Sequence, residues 1–185
     1  MDEVGRGCFA GPIVAATVHF EKEYLWFKDV NDSKLLTYKE RKRLSKLILK
    51  YGTCFIESIE VPTINEIGIG KSNKLVFENL INRVNKEFKK KTKYFLIDGN
   101  KKGIDYKNIE YVIRGDQKHI SIAAASIVAK VYRDELMRGL GKIYKGYNFS
   151  KNKGYGTKFH QNAIKKLGFC EIHRKSFKLE RFLND

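Results

Sequence analysis

Four acids carry the chemistry this sequence could do. Asp2 and Glu3 stand side by side at the start of the chain, Asp98 closes the apolar run KYFLID, and Asp116 closes NIEYVIRGD. Carboxylates brought together repel one another and take up protons unless cations neutralise them. Oxygen donors suit hard Mg²⁺ or Mn²⁺, and no CxxC or His/Cys cluster favours a softer metal. Two such ions about 3.5–4 Å apart form a clamp suited to phosphodiester cleavage. An acid at a strand end also serves as a cap or turn residue, so the residues alone leave both roles open. One geometric condition applies to the adjacent pair. Consecutive strand residues face opposite sides, so Asp2 and Glu3 share a site only if the strand ends or bulges there. Gly5 and Gly7, flanking Arg6, allow such an irregular exit.

These acids need strands to hold them. Gly11-Pro12 is a turn signal, and Ile13 to Phe20 (IVAATVHF) reads as a buried strand of β-branched and small residues. Thr37 with Glu40 three residues on forms a capping box. A helix follows, with Leu44, Leu47, Ile48 and Tyr51 on one face, and Gly52 ends it. TCFIESIEV is a second strand, and a longer helix follows Ser72, with Phe77, Leu80, Ile81, Val84 and Phe88 as its stripe. The apolar strand ending at Asp98 reads as a central one. NIEYVIRGD reads as another strand delivering Asp116. SIAAASIVAKVYRDELMRGL is a helix whose first half is apolar all round, suited to close packing on a sheet.

The chain has 185 residues, 37 Lys and Arg against 21 Asp and Glu, and a net charge of +16. A globule this basic is expected to meet phosphate, as nucleic acid or as a membrane surface. Residues 141–185 hold 11 of the Lys and Arg but only 3 of the acids, and they are rich in aromatics. Basic residues interleaved with rings suit phosphate contact with sugar or base stacking; about half of these rings are expected to form a small local core. Thr157 reads as the N-cap of a short helix ending at Gly168. Cys8, Cys54 and Cys170 are odd in number and far apart, which fits reduced thiols. Without a signal peptide or a membrane-length apolar run, the sequence predicts a soluble, intracellular protein.

Competing motifs are weak. There is no GxxxxGK[ST] or GxGxxG, and EIGIGKSN has the wrong spacing for a phosphate loop. Arg114-Gly115-Asp116 and the formal sequon at Asn148 need an extracellular setting that nothing else supports. His160 and His173 read as hydrogen-bonded structural residues.

The stretch DEVGRGCFAGPIVAATV resembles the opening signature of the type 2 ribonucleases H (ribonuclease HII). NDSKLL, LIDGN, RGDQKHISIAAASIVAKVYRDELM, NKGYGTKFH and HRKSF match in order over nearly the whole chain. The resemblance implies an α/β ribonuclease H-like core, a mixed five-stranded sheet flanked by helices, with a small C-terminal helical region. It implies a metal-dependent endonuclease using Mg²⁺ or Mn²⁺, cutting the RNA strand of RNA–DNA hybrids and nicking DNA duplexes 5′ to embedded ribonucleotides. It assigns Asp2, Glu3, Asp98 and Asp116 to the metals. It assigns Gly5, Arg6 and Gly7 to the ribose 2′-hydroxyl, Tyr155 to the sugar at the RNA–DNA junction and Lys34 to a phosphate. A 2′-hydroxyl is what distinguishes RNA from DNA, and backbone approaches a sugar closely only where no side chain intrudes. The type 3 enzymes usually carry Gly-Thr-Gly in place of Gly5-Arg6-Gly7, and an additional N-terminal domain.

The expected organisation is a catalytic core over residues 1–140 and a basic substrate-binding region over 141–185, acting as a cytoplasmic monomer. Family members carry a longer lead into the first strand than the single Met1 here. Two expectations follow: Asp2 is held by pairing with the Ile13–Phe20 strand and an adjacent core strand, or the site is impaired and the chain only binds nucleic acid.

Overall fold

In the computed structural model, residues 1–31, 33–88 and 94–182 are described. The first strand, β1 (Asp2–Val4), is short but doubly held. On one side it runs antiparallel to β2 (Ile13–His19), with Asp2 opposite Ala16, Glu3 opposite Ala15 and Val4 opposite Val14. On the other side, the Met1 amino group donates to the Leu96 carbonyl at 2.7 Å, and the Asp98 N–H donates to the Met1 carbonyl at 3.0 Å. These two bonds join the three-stranded piece β1–β2–β3 (Thr53–Ile59) to the parallel pair β4 (Phe95–Asp98) and β5 (Ile109–Val112). The result is a mixed five-stranded sheet in the order β3-β2-β1-β4-β5. The pairing expected for Asp2 is thus present on both edges.

Alternation along β2 sorts the two faces. Ile13 and Ala15 pack with Ile97 beneath α2 (Val61–Glu87), whereas Val14, Ala16 and Val18 face α1 (Tyr38–Tyr51) and α3 (Ile120–Ile143). The alanines of α3 are almost wholly buried, so its helical backbone lies close to the strands. β3 covers β2 from Ile13 to His19, but β1 covers only Val14 to Ala16. Past that point a cavity of about 700 Å³ opens, lined by Met1, Val18, Phe55, Phe88 and Leu96 among others.

Two elements, α2 and β5, differ from the sequence-based expectation, and the expected stop of α1 at Gly52 is present. α2 starts before Ser72, at Val61, with Pro62 in its first turn. It absorbs the EIGIG stretch by breaking at Gly68 (φ 79°), whose carbonyl accepts from the Ser72 hydroxyl. Gly52 ends α1 with an ordinary extended φ of −109°; a Cβ there would meet the Phe20 ring at 2.8 Å, so space and not backbone freedom selects glycine. β5 stops at Val112, and Asp116 lies in a 3₁₀ turn, Gly115–Gln117, entered through Arg114 in the left-handed region (φ 55°).

The capping box at Thr37 and Glu40 is formed, and the Thr157 hydroxyl accepts from the His160 N–H at the start of α5 (Lys158–Leu167). Between α3 and α5 lies the single turn α4 (Phe149–Asn152). Phe149, Tyr147, Ile164 and Leu179 form a third core with Met137 of α3 and with Phe9 and Ala10. Tyr144, Phe169 and Phe177 pack on that core, while Phe159, Tyr155 and Phe182 are exposed. Among the described residues, no helix is long and apolar enough to cross a membrane.

Candidate active site

β1 is regular, without a bulge, so Asp2 and Glu3 leave it on opposite sides and the bulge that would have set them on one face is absent; what links them is charge, since Glu3 acts on the Asp2 carboxyl. Asp2 shares its face with Ala16 and looks toward α3; Glu3 shares its face with Ala15 and looks toward α2. The irregular exit comes after the acids, at Gly5 (φ 89°). Asp98 ends β4 next to β1. Its Oδ1 accepts the Gly115 N–H at 2.7 Å. Gly115 permits that approach, since a Cβ would lie 2.5 Å from Ile122 Cδ1 and 3.3 Å from Asp98 Oδ1. Asp116 is the next residue, so a turn bonded to Asp98 brings it in.

Asp2 feels both Glu3 and Asp98. Burial, then the charges of Glu3 and Asp98, push the Asp2 carboxyl up to about 7, although the Glu3 N–H donates to Asp2 Oδ1 at 2.7 Å. A buried carboxylate disfavoured by its neighbours in this way is poised to gain a cation. All four donors are oxygens, which fits Mg²⁺ or Mn²⁺. Yet among the described residues no three acids, histidines or cysteines are already drawn into a common ligand shell. The oxygens are engaged elsewhere. Asp98 Oδ1 is held by Gly115, Asp2 Oδ1 by the Glu3 backbone, and Glu3 Oε2 lies 3.3 Å from the Lys102 ammonium.

Beside the acids, Gly5-Arg6-Gly7 forms a tight turn, closed by Cys8 N–H to the Gly5 carbonyl at 3.3 Å, with Arg6 and Gly7 exposed. Two fully buried arginines hold it. Arg133 of α3 donates to the carbonyls of Pro12, Ala10 and Lys153, and a Cβ on Gly5 would fall 2.2 Å from its Nε. Arg174 donates to the carbonyls of Arg6 and Gly11, both at 2.9 Å. Tyr155 follows the Lys153-Gly154 turn that Arg133 grips. Its hydroxyl meets the Cys8 thiol, burial and that thiol push it up to about 12, and the residue remains 40 % exposed. Gly5, Arg6, Gly7 and Tyr155 therefore lie in one neighbourhood. Lys34 is exposed in a turn tied to α3 by Ser33 and Ser126, whose hydroxyls are 2.7 Å apart. Asp32 lies outside the described residues.

Lys102, Arg133 and Arg174 were not expected from the sequence. Arg133 and Arg174 sit inside VYRDELM and HRKSF, but nothing local distinguishes a buried arginine among 37 basic residues. Lys102 follows LIDGN in a loop whose fold-back onto Glu3 only the tertiary structure reveals.

Comparison with known proteins bears on the family and the fold. The family model described as ribonuclease HII matches residues 1–180. The ribonuclease HII of Caldanaerobacter subterraneus subsp. tengcongensis is 41 % identical over 184 residues, spanning 96 % of this chain and 72 % of its own. That of Borreliella burgdorferi is 43 % identical over 180 residues, spanning 97 % of each chain. The fold matches ribonuclease HII in its Archaeoglobus fulgidus complex with PCNA, with a TM-score of 0.82 at 22 % identity, covering 100 % of this chain and 95 % of that one. It also matches Bst-RNase HIII in complex with Mn²⁺, with a TM-score of 0.70 at 20 % identity, over 99 % and 68 % of the two chains. By the family match and these identities, the chain belongs to the ribonuclease HII family, metal-dependent endonucleases that cleave the RNA strand of RNA–DNA hybrids.

Proposed function

We propose that Asp2, Glu3, Asp98 and Asp116 hold two divalent cations, Mg²⁺ or Mn²⁺, and that the enzyme also nicks DNA duplexes 5′ to embedded ribonucleotides, leaving 5′-phosphate and 3′-hydroxyl ends. The carrying observation is Asp2 and Glu3 on β1 beside Asp98 on β4: burial, then the charges of Glu3 and Asp98, raise Asp2 to about 7, and Asp98 Oδ1 accepts the Gly115 N–H one residue before Asp116. The Mn²⁺ complex of the fold relative Bst-RNase HIII supports the choice of metal. When bound, the ions promote attack by water and stabilise the leaving oxygen.

The protein's own groups position the substrate. The Gly5-Arg6-Gly7 turn offers backbone and guanidinium donors to a ribose 2′-hydroxyl. The exposed face of Tyr155 packs on the neighbouring deoxyribose, where a 2′-hydroxyl would clash. Lys34 contacts a phosphate. Residues 141–185 form the substrate-binding region beside the core of residues 1–140, and their basic surface grips the duplex without reading sequence. The enzyme acts as a monomer in the cytoplasm, with Cys8, Cys54 and Cys170 as free thiols.

The Asp98→Asn variant tests the assignment. Cleavage of a hybrid in Mg²⁺ is expected to fall by roughly a thousandfold or more, while hybrid binding survives. Wild-type cleavage by this variant would overturn the role of Asp98.

A further inference from the structure

We propose that Lys102 is a built-in counter-ion of the acid cluster, one whose ammonium holds Glu3 until a divalent cation displaces it. The proposal rests on the assignment of the acids to metal. The Lys102 Nζ lies 3.3 Å from Glu3 Oε2, with the two side chains only 8 % and 14 % exposed. It also donates to the Asp98 carbonyl oxygen at 2.9 Å and sits 5.2 Å above the Phe77 ring. A lysine withdrawn from water loses hydration and rotamer freedom. Here a carboxylate, a carbonyl and a ring face replace that hydration around a side chain from the loop that follows β4. Gly99, with φ 83°, turns the chain so that the loop folds back on Asp98.

The consequence is electrostatic. The ammonium of Lys102 offsets the negative charge of Glu3, as the Met1 amino group does for Asp2. A divalent cation using Glu3 cannot share that oxygen with an ammonium without strong repulsion. Metal entry therefore breaks the Lys102–Glu3 ion pair, and the site binds metal more weakly than its carboxylates alone would. Glu3 Oε2 is thus already engaged by a side chain of its own protein.

Calorimetric titration with Mn²⁺, without substrate, measures the effect. Lys102→Met and Lys102→Gln are expected to bind Mn²⁺ about tenfold more tightly than wild type. They should also melt lower than wild type when metal-free and gain more in Tm on saturation with Mn²⁺. Equal or weaker Mn²⁺ binding in these variants, with Mn²⁺ still bound by wild type, would overturn the counter-ion role and leave the metal site standing. No Mn²⁺ binding by any form would overturn both. The wild-type protein provides a second readout that needs no variant to fold. Reductive methylation followed by peptide mass spectrometry should find Lys102 protected in metal-free protein and labelled severalfold faster in saturating Mg²⁺. Unchanged or slower labelling in Mg²⁺ would likewise overturn the proposal.

Discussion

Gly5 meets two constraints at one atom. Its φ of 89° lies in the left-handed region, and any Cβ would fall 2.2 Å from Arg133 Nε. Gly5→Ala therefore strains the backbone by about 1–3 kcal/mol and pushes away the Arg133 guanidinium that ties Ala10 and Pro12 to Lys153 beside the turn. The expected outcome is a lower Tm and loss of cleavage at a single embedded ribonucleotide, with Mn²⁺ binding retained because the acids lie on β1, on β4 and in the turn after β5; calorimetry and a nicking assay check both parts. Arg6 differs, since its side chain is exposed and its carbonyl is held by Arg174. Arg6→Ala should reduce ribonucleotide-dependent cleavage far more than binding to an all-DNA duplex. Equal losses in the two assays would remove Arg6 from the reading of the sugar. The irregular exit from β1 was legible because glycines accept backbone angles that other residues avoid, whereas the role of Arg6 came only from the family resemblance. Arg133 and Arg174 were not, because burial of a charge is a property of the fold that brings carbonyls to it, and those carbonyls come from residues 6–12 and 153.

The elements of the C-terminal region are fixed by a chain of imidazoles. The Cys170 N–H donates to His173 Nδ1 at 2.8 Å, His160 and His173 share a bond of 3.1 Å between their Nε2 atoms, and His160 Nδ1 lies 2.9 Å from the Tyr155 carbonyl. One tautomer set satisfies this chain: His173 protonated at Nε2 and His160 at Nδ1, both rings neutral. Burial holds His160 below the usual histidine range, and burial with the neighbouring His160 holds His173 down at about 4. Because the folded value lies below the ordinary 6.5, this contribution to stability is complete above that pH and is lost as pH falls toward about 4. Tm measured from pH 7 to pH 4 should drop more steeply for wild type than for His173→Gln; parallel curves would count against the pair as the acid-sensitive element. The sequence suggested structural histidines, but their partnership depends on α5 and the segment after it meeting across the third core. Asp116 shows the opposite limit. The periodicity of NIEYVIRGD suited a strand up to the acid, whereas the left-handed Arg114 and the close fit of Gly115 against Ile122 replace its end with a turn.

At the scale of the whole molecule, charge was the plainest property of the sequence and the sheet order the least. The individual strands were legible from composition, yet the β1–β4 junction rests on two hydrogen bonds of Met1 that no local pattern foretells. Net charge, by contrast, is read directly, but its placement decides its use. The excess of +16 could reflect lysines spread evenly for solubility, or a surface directed at a duplex. Exposed Lys151, Lys165 and Lys166 lie in the C-terminal region, while exposed Lys39, Lys46 and Lys50 lie on α1. If residues 141–185 grip the phosphates, changing the first three lysines to Gln should weaken binding to an RNA–DNA hybrid. It should also flatten the plot of log affinity against log salt, by roughly 0.9 for each phosphate that the protein no longer neutralises. The same changes on α1 should leave that slope as it was. The kcat at saturating hybrid should survive in both sets, because these lysines lie on elements that hold none of the four acids. A slope reduced equally by both triples would mean that the duplex is held by diffuse charge over the whole surface, with no dedicated grip in the C-terminal region.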